Sequence, residues 1–388
     1  MSCKLCVVTG GRAEYGLLRP LMRRIEDDPD CELQVVVTGT HLSTEHGLTY
    51  LEIESDGFDI DAKVEILLSC DTKTGIAKSM GLAVPGLAES FERLSPDMIV
   101  LLGDRFEALA AAQAAMIMQI PVAHLAGGDD ASGTYDNVMR HCITKMASLH
   151  FVTHEAARQR VIQLGEDPAH VFNYGATAVD NILGMRLLAK HELEADLGLV
   201  FKANLLLVTY HPLTMDADAA ETRLGELFAA LDPFLEKGEF SILFTGANAD
   251  HGGRHINALI ASYIADRDDC HFRESLGQLR YLSAVKAAVA VVGNSSSGIY
   301  EAPYLNTPTV DIGSRQRGRP APASVLHCEL ERASIVAALH AALAFEFDGI
   351  EMLYGTGAAS ADIFSKLREL VKMPGLAVKT FHDLRGAP

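Results

Sequence analysis

The chain has 388 residues, 48% apolar and 22% charged, with a net charge of −18 from 33 basic and 51 acidic side chains. That length exceeds one ordinary core and predicts two domains. The acidic balance repels phosphodiester backbones and argues against nucleic acid as a partner; no apolar run approaches the roughly 18–20 residues of a membrane span.

The first residues, MSCKLCVVTGG, hold an apolar stretch too short for a signal-peptide core, so the expected location is the cytoplasm. Seven scattered cysteines make no disulfide framework. Cys3 and Cys6 have a C-x-x-C spacing but fall inside the first strand, where packing is their expected role. Without a second C-x-x-C or an H-E-x-x-H, zinc has no candidate site.

Short apolar runs then alternate with helical patterns, the mark of βα units and a parallel sheet. KLCVVTG (4–10), ELQVVVTG (32–39), DMIVLLG (97–103), IPVAHL (120–125), LHFVTH (149–154) and HVFNYG (170–175) are the strands of a first half. After a polar helical stretch around 184–198 the pattern restarts with NLLLVTYH (204–211), FSILFTG (240–246), DCHFRES (269–275), AVAVVGN (288–294) and TPTVDIG (307–313). The predicted class is α/β, two Rossmann-like domains over 1–178 and 179–360 with a hinge near Gly175–Asp180. A helical tail over 361–388 is free to pack back on the first domain. Such sheets bind ligands beyond the carboxyl ends of their strands, and two of them facing each other would hold a ligand in a central cleft.

The residues just after each strand therefore carry the functional reading. TGGRAEYG (9–16) joins a tight glycine turn, the Arg12 fork and a helix start, the parts of an anion site or of a plain turn. It is neither G-x-x-x-x-G-K-[ST] nor G-x-G-x-x-G. GDRFEALAAA (103–112) places Asp104 and Arg105 at a strand end, with Asp104 alternatively a helix cap. HLAGGDDASGTYDNVMRH (124–141) gathers three aspartates, two histidines and an arginine around three glycines. TYHPLT (209–214) places His211 where it can bind phosphate or shuttle a proton. In VVGNSSSGIYEAP (291–303), Ser295, Ser296 and free backbone N–H groups suit a diphosphate, and Glu301 suits a ribose; a serine N-cap is the bland alternative. IGSRQRGRP (312–320) adds three arginines. His150, His154, His170 and His271 lie beside or inside strands and read as structural. Together the segments suit an enzyme acting on a nucleotide-linked sugar, with the nucleotide held by one domain and acid–base groups presented by the other.

In their order, GGRAEYG, GDRFE, the GG-acid…D-x-x-x-RH segment, YHPLT, GNSSSGIYEAP and IGSRQRGR resemble the hydrolysing UDP-N-acetylglucosamine 2-epimerases of sialic acid biosynthesis, from about residue 4 to residue 320. The resemblance implies a GT-B arrangement. It implies that Arg12, His211, Asn248, Ser275, Ser295, Ser296, Glu301 and Arg315 hold the nucleoside diphosphate. It assigns acid–base work to Asp104, Asp129 and Asp136, with Arg105 and His141 nearby and His211 as a further catalytic candidate. The implied reaction eliminates UDP to a glycal-type intermediate and adds water, giving N-acetylmannosamine without metal or other cofactor. A homodimer or homotetramer is also implied. Asp129 stands where relatives carry glutamate, Asn137 where they commonly carry a second acid, and Ala126 where histidine or glutamate is usual; Asp130 has no obvious counterpart. These departures fall in the sugar-facing segment. The alternative is thus the same chemistry on a UDP- or GDP-linked 2,4-diacetamido-2,4,6-trideoxy sugar of the legionaminic acid route. A GT-B glycosyltransferase, which would need an acceptor site, is the more remote alternative.

Overall fold

In the computed structural model, residues 3–68, 72–130, 135–211, 220–246 and 253–384 are described. The chain forms two compact units, one of residues 1–181 with 354–388 and one of residues 182–353.

The first unit runs β1 (Cys3–Thr9), α1 (Arg12–Glu26), β2 (Cys31–Thr38), α2 (Tyr50–Ser55), β3 (Ala62–Val64), α3 (Lys73–Leu94), β4 (Met98–Leu102), α4 (Phe106–Ile117), β5 (Val122–Leu125), α5 (Tyr135–Met146), β6 (Leu149–Val152), α6 (Glu155–Gln163), β7 (Val171–Asn173) and α7 (Thr177–Gly184). Its sheet order is β3-β2-β1-β4-β5-β6-β7, with every pair parallel. Alternate residues of a strand face opposite sides, and β1 is apolar on both. Leu5 and Val7 pack with Leu18 and Met22 of α1, while Cys6 and Val8 pack with Leu87 and Phe91 of α3. Cys3 and Cys6 therefore sit in separate cores and cannot pair.

The second unit runs α8 (Lys190–Leu197), β8 (Asn204–Thr209), α9 (Ala220–Leu235), β9 (Phe240–Thr245), α10 (Gly253–Ile264), β10 (Cys270–Arg273), α11 (Gly277–Ala287), β11 (Ala290–Gly293), α12 (Ser297–Tyr300), β12 (Thr309–Ile312), β13 (Val325–Cys328) and α13 (Arg332–Leu343). Its parallel sheet has the order β10-β9-β8-β11-β12-β13. The last helix, α14 (Ala359–Leu370), belongs to the first unit. Its Ile363 and Leu367, one turn apart, bury against α1 in the same core as Leu5 and Val7. Asp180 accepts the backbone N–H groups of Ala359 and Ser360 at 3.0 and 2.6 Å, satisfying donors that a helix start leaves open.

Three sequence expectations change. The strands β3 and β13 were not anticipated. The hinge expected near Gly175–Asp180 is spanned by α7, and the units divide between Asn181 and Ile182. The chain rejoins the first unit at Tyr354, ahead of residue 360, because residues 354–355 pack on the Gly175 backbone.

A buried ion cluster ties the C-terminal segment to α5. Glu166, 2% exposed, meets Lys145 and Lys379 at 2.5 Å each and His150 at 2.9 Å. These partners hold its carboxyl down to about 2 despite burial. Glu166→Gln is therefore expected to cost about 3–5 kcal/mol at neutral pH, read from urea unfolding. Because the folded-state value is depressed, that stabilisation is present above pH 4.5 and is lost as pH falls towards 2. The gap between wild type and variant should close over that window; a gap that persists at pH 2 contradicts the assignment.

Candidate active site

Both sheets reverse their strand order next to their first strand, and the ends of the flanking strands mark the usual ligand position. In the first unit these are β1 and β4; in the second they are β8 and β11.

After β4 the chain turns at Gly103 into Asp104 and Arg105, the N-cap of α4. No side chain caps that helix start, so Asp104 is not a cap; its carboxylate instead pairs with Arg140 of α5. The turn is braced from below. His124 of β5 donates from Nε2 to the Gly103 carbonyl at 2.7 Å, and burial pushes its imidazole down to about 3. Thr144 of α5 lies 3.2 Å from the other ring nitrogen.

After β5 the backbone passes through positive φ at Ala126 (+58°) and Gly128 (+78°) before reaching Asp129. A Cβ at Gly128 would lie 2.5 Å from the Ala157 carbonyl, so only glycine fits there. Asp129 is the most heavily partnered aspartate of the set. It accepts from Thr153 at 3.2 Å and from His154 Nε2 at 2.7 Å, and pairs with Arg140 at 3.4 Å. Ala157 N–H donates to His154 Nδ1, which assigns the ring proton to Nε2, facing Asp129. Arg140 also donates to the Ala126 carbonyl at 3.1 Å. One guanidinium, 12% exposed, thus binds two carboxylates and a strained carbonyl.

Asp136 lies in the first turn of α5; its carboxyl is pushed up by burial and then by Asp104, with Arg105 and Arg140 opposing. His141, one turn on, is pushed down by burial and then by Arg160 and Arg140, and its buried Nδ1 has no hydrogen-bond partner among the described residues. Arg105 reaches Glu107 through Nε and Nη2, each at 3.3 Å. Arg12 opens α1 and pairs with Glu52 at 2.9 Å.

The second unit builds its site around Asn294, 1% exposed. The Asn294 side chain accepts the His211 N–H at 2.7 Å and donates to the His211 carbonyl at 2.9 Å, locking the end of β8 to the end of β11. Its own carbonyl accepts Arg315 at 3.0 Å and Gln316 at 2.8 Å. Gly293 (φ +139°) precedes it, where a Cβ would fall 1.9 Å from the Thr209 carbonyl. Ser296 begins α12 without a side-chain cap bond, which leaves the serine N-cap reading without support. Ser295 is half-buried, with its Oγ 3.4 Å from the Ser297 N–H. Glu301 accepts from Ser297 and is pushed up by burial. Ser275 is exposed beyond β10, and Asn248 lies outside the described residues.

Arg12, Asp104, Arg105, Asp129, Asp136 and His141 thus belong to the first unit, and His211, Ser275, Ser295, Ser296, Glu301 and Arg315 to the second. Sequence reading missed three participants. His154 was read as structural, yet it holds Asp129; its place just after β6 was the available signal. Arg140 was only counted among the charges of the 124–141 segment, and nothing in its spacing showed that it joins Asp104 to Asp129. Asn294 closed the 288–294 strand stretch with no role of its own, and its part follows from the pairing of β8 with β11. Among the described residues, no group of three or more histidine, cysteine or acidic side chains could hold a metal ion. No helix among them is long and apolar enough to cross a membrane.

Comparison with known proteins bears on these two sites. The family model described as UDP-N-acetylglucosamine 2-epimerase matches residues 23–368. The GDP/UDP-N,N'-diacetylbacillosamine 2-epimerase (hydrolyzing) of Campylobacter jejuni is 43% identical over 84% of this chain and 84% of its own length. The UDP-N,N'-diacetylbacillosamine 2-epimerase (hydrolyzing) of Legionella pneumophila is 34% identical over 95% of this chain and 96% of its own. A crystal structure of the UDP-GlcNAc 2-epimerase from Neisseria meningitidis bound to UDP-GlcNAc superposes with a TM-score of 0.77 over 94% of this chain and 100% of that one. At 18% identity that likeness concerns the fold, two parallel-sheet α/β domains of the Rossmann-like, GT-B kind. With the family model covering most of its length, the chain belongs to the UDP-N-acetylglucosamine 2-epimerase family.

Proposed function

We propose that this chain catalyses the hydrolysing 2-epimerisation of a nucleotide-linked 2,4-diacetamido-2,4,6-trideoxy sugar, releasing nucleoside diphosphate and the 2-epimeric free sugar. The reaction reading rests on one observation: Arg140 gathers Asp104 and Asp129 at adjacent strand ends, with Asp136 on the same helix. The sugar reading is supported by the names of the Campylobacter and Legionella relatives and by Ala126, which leaves only a methyl group where the β5 turn bends towards Asp129.

The C2 hydrogen of such a sugar is not adjacent to a carbonyl, so a carboxylate removes it only as the C1–O bond breaks. In the proposed step Asp129, held by His154 and Arg140, takes that proton. The C2–H electrons become the C1=C2 bond, and the C1–O pair leaves with the diphosphate. Charge developing on the diphosphate calls for fixed donors and cations, the chemistry that the serine loop and Arg315 carry at their strand ends. The C1=C2 electrons then take a proton at C2 on the opposite face while a water oxygen bonds to C1; the water gives up one proton to solvent as it does so, and exchange with solvent afterwards deprotonates Asp129 and reprotonates the group that served C2. Asp136, biased towards its protonated form, is suited to give the C2 proton.

The test is parallel incubation with the UDP- and GDP-linked diacetamido sugar and with UDP-N-acetylglucosamine, following free sugar and nucleotide by NMR. Turnover of a diacetamido sugar nucleotide well above that of UDP-N-acetylglucosamine is expected. The reverse preference, with free N-acetylmannosamine as product, would place the chain with the UDP-N-acetylglucosamine enzymes instead.

A further inference from the structure

Two carboxyl groups that the proposed reaction does not use stand behind the Asp104–Arg105 turn. Glu14 lies in the first turn of α1 and Glu107 in the first turn of α4. Both close on Gly10: its N–H donates to Glu14 Oε2 at 2.7 Å, and a Cβ there would lie 3.1–3.2 Å from the Glu107 side chain. Glu14 is 9% exposed and Glu107 1%, and the buried Glu14 Oε1 has no hydrogen-bond partner among the described residues.

The charges around Glu14 do not balance two carboxylates. Glu107, Asp104 and Arg105 face it electrostatically, and Arg105 spends its fork on Glu107. His41, in the short helical turn after β2, is buried and pushed down to about 4, so it brings no positive charge at neutral pH. Arg12 pairs outward with Glu52. A second buried carboxylate without a cation or a full set of donors is costly, and retaining a proton removes that cost.

We propose that Glu14 and Glu107 share a single negative charge, Glu14 keeping the proton, and that the pair positions Arg105 for the substrate. The part played by Arg105 rests on the proposed reaction; the shared charge does not. Burial first, and Glu107 second, push Glu14 up to about 7, so Glu14 gives up its proton near neutrality. Above that point a second negative charge sits behind Arg105 and beside Asp104, where an anionic nucleotide sugar would have to approach.

The experiment uses the full chain and two variants, Glu14→Gln, isosteric and neutral, and Glu107→Gln. In ligand-free protein with carbon-13-labelled glutamate, one carboxyl resonance should titrate near pH 7 and vanish in Glu14→Gln. Because the folded chain keeps this proton between 4.5 and about 7, where an unfolded chain has lost it, the melting temperature should fall as pH rises through that window. Glu14→Gln should flatten that fall. With the diacetamido sugar nucleotide, wild-type KM should rise by up to about tenfold per pH unit above the transition. Glu14→Gln should lose this rise at unchanged kcat, and Glu107→Gln should show a raised KM at every pH. Absence of a glutamate titration near 7 overturns the shared charge. A titration present with an unaltered KM profile overturns the positioning of Arg105. Titration without turnover of any nucleotide sugar upholds the pair and contradicts the reaction.

Discussion

Asp129→Asn is expected to lower turnover by about three orders of magnitude, within the range general-base catalysis contributes, while leaving UDP affinity nearly unchanged. The amide keeps the volume and can still accept the His154 Nε2–H at the position that Asp129 Oδ1 occupies at 2.7 Å. What it loses is the ability to take a proton. Its NH2 group also turns a donor towards Arg140, now 3.4 Å from the second carboxylate oxygen. UDP affinity should survive because the groups assigned to the nucleotide hang on Asn294, in the other unit. Single-turnover kinetics paired with calorimetric titration of UDP separates the two effects. Loss of UDP binding as large as the loss of turnover contradicts the assignment of Asp129 as the base.

The second large effect is expected at Arg140. Arg140→Met leaves Asp104, Asp129 and the Ala126 carbonyl in a largely buried site without their shared cation, at a cost of about 3–5 kcal/mol. Turnover should fall as far as for Asp129→Asn. Any residual activity should have its alkaline limb moved to higher pH, because Arg140 is one of the cations that hold the Asp136 carboxyl down. Arg140→Lys restores the charge but not the fork, and one ammonium cannot hold two carboxylates and a carbonyl at once. It should recover most of the stability and little of the rate. Urea unfolding and pH–rate profiles of the two variants check this; full activity in Arg140→Lys would show that charge alone suffices.

The alternation of apolar runs and helical patterns made the two α/β halves legible, because strands such as β1 and β8 are buried on both faces and read as continuous apolar stretches. What was not legible depended on contact rather than pattern. The three residues of β3, one of them an exposed lysine, carry too little periodicity to be seen. The packing of α14 on α1 joins segments more than 300 residues apart, as the Arg24–Ser360 hydrogen bond shows.

The strand-end rule pointed to Asp104, Asp129, His211 and the serine loop, and each of them does follow a strand. It did not show that Arg140 bridges positions on two strands, which only the parallel β4–β5 register brings side by side. His154 was discounted because a histidine beside a strand is usually packing, and here its ring nitrogen instead fixes Asp129. Glu14 and Glu107 lie inside quoted motifs without a role of their own, because acidic residues are ordinary in first helical turns. Their convergence on Gly10 follows from the pairing of β1 with β4, which no local motif encodes.

The central claim is that a carboxylate of the Arg140-centred set removes the C2 hydrogen, with the nucleotide leaving and water entering at C1. The most direct measurement is turnover of the diacetamido sugar nucleotide in heavy water, with the products followed by proton NMR. The expected product is a free 2-epimeric sugar carrying deuterium at C2, released together with nucleoside diphosphate. Nucleoside diphosphate released with a sugar that keeps its original C2 hydrogen and configuration would contradict it.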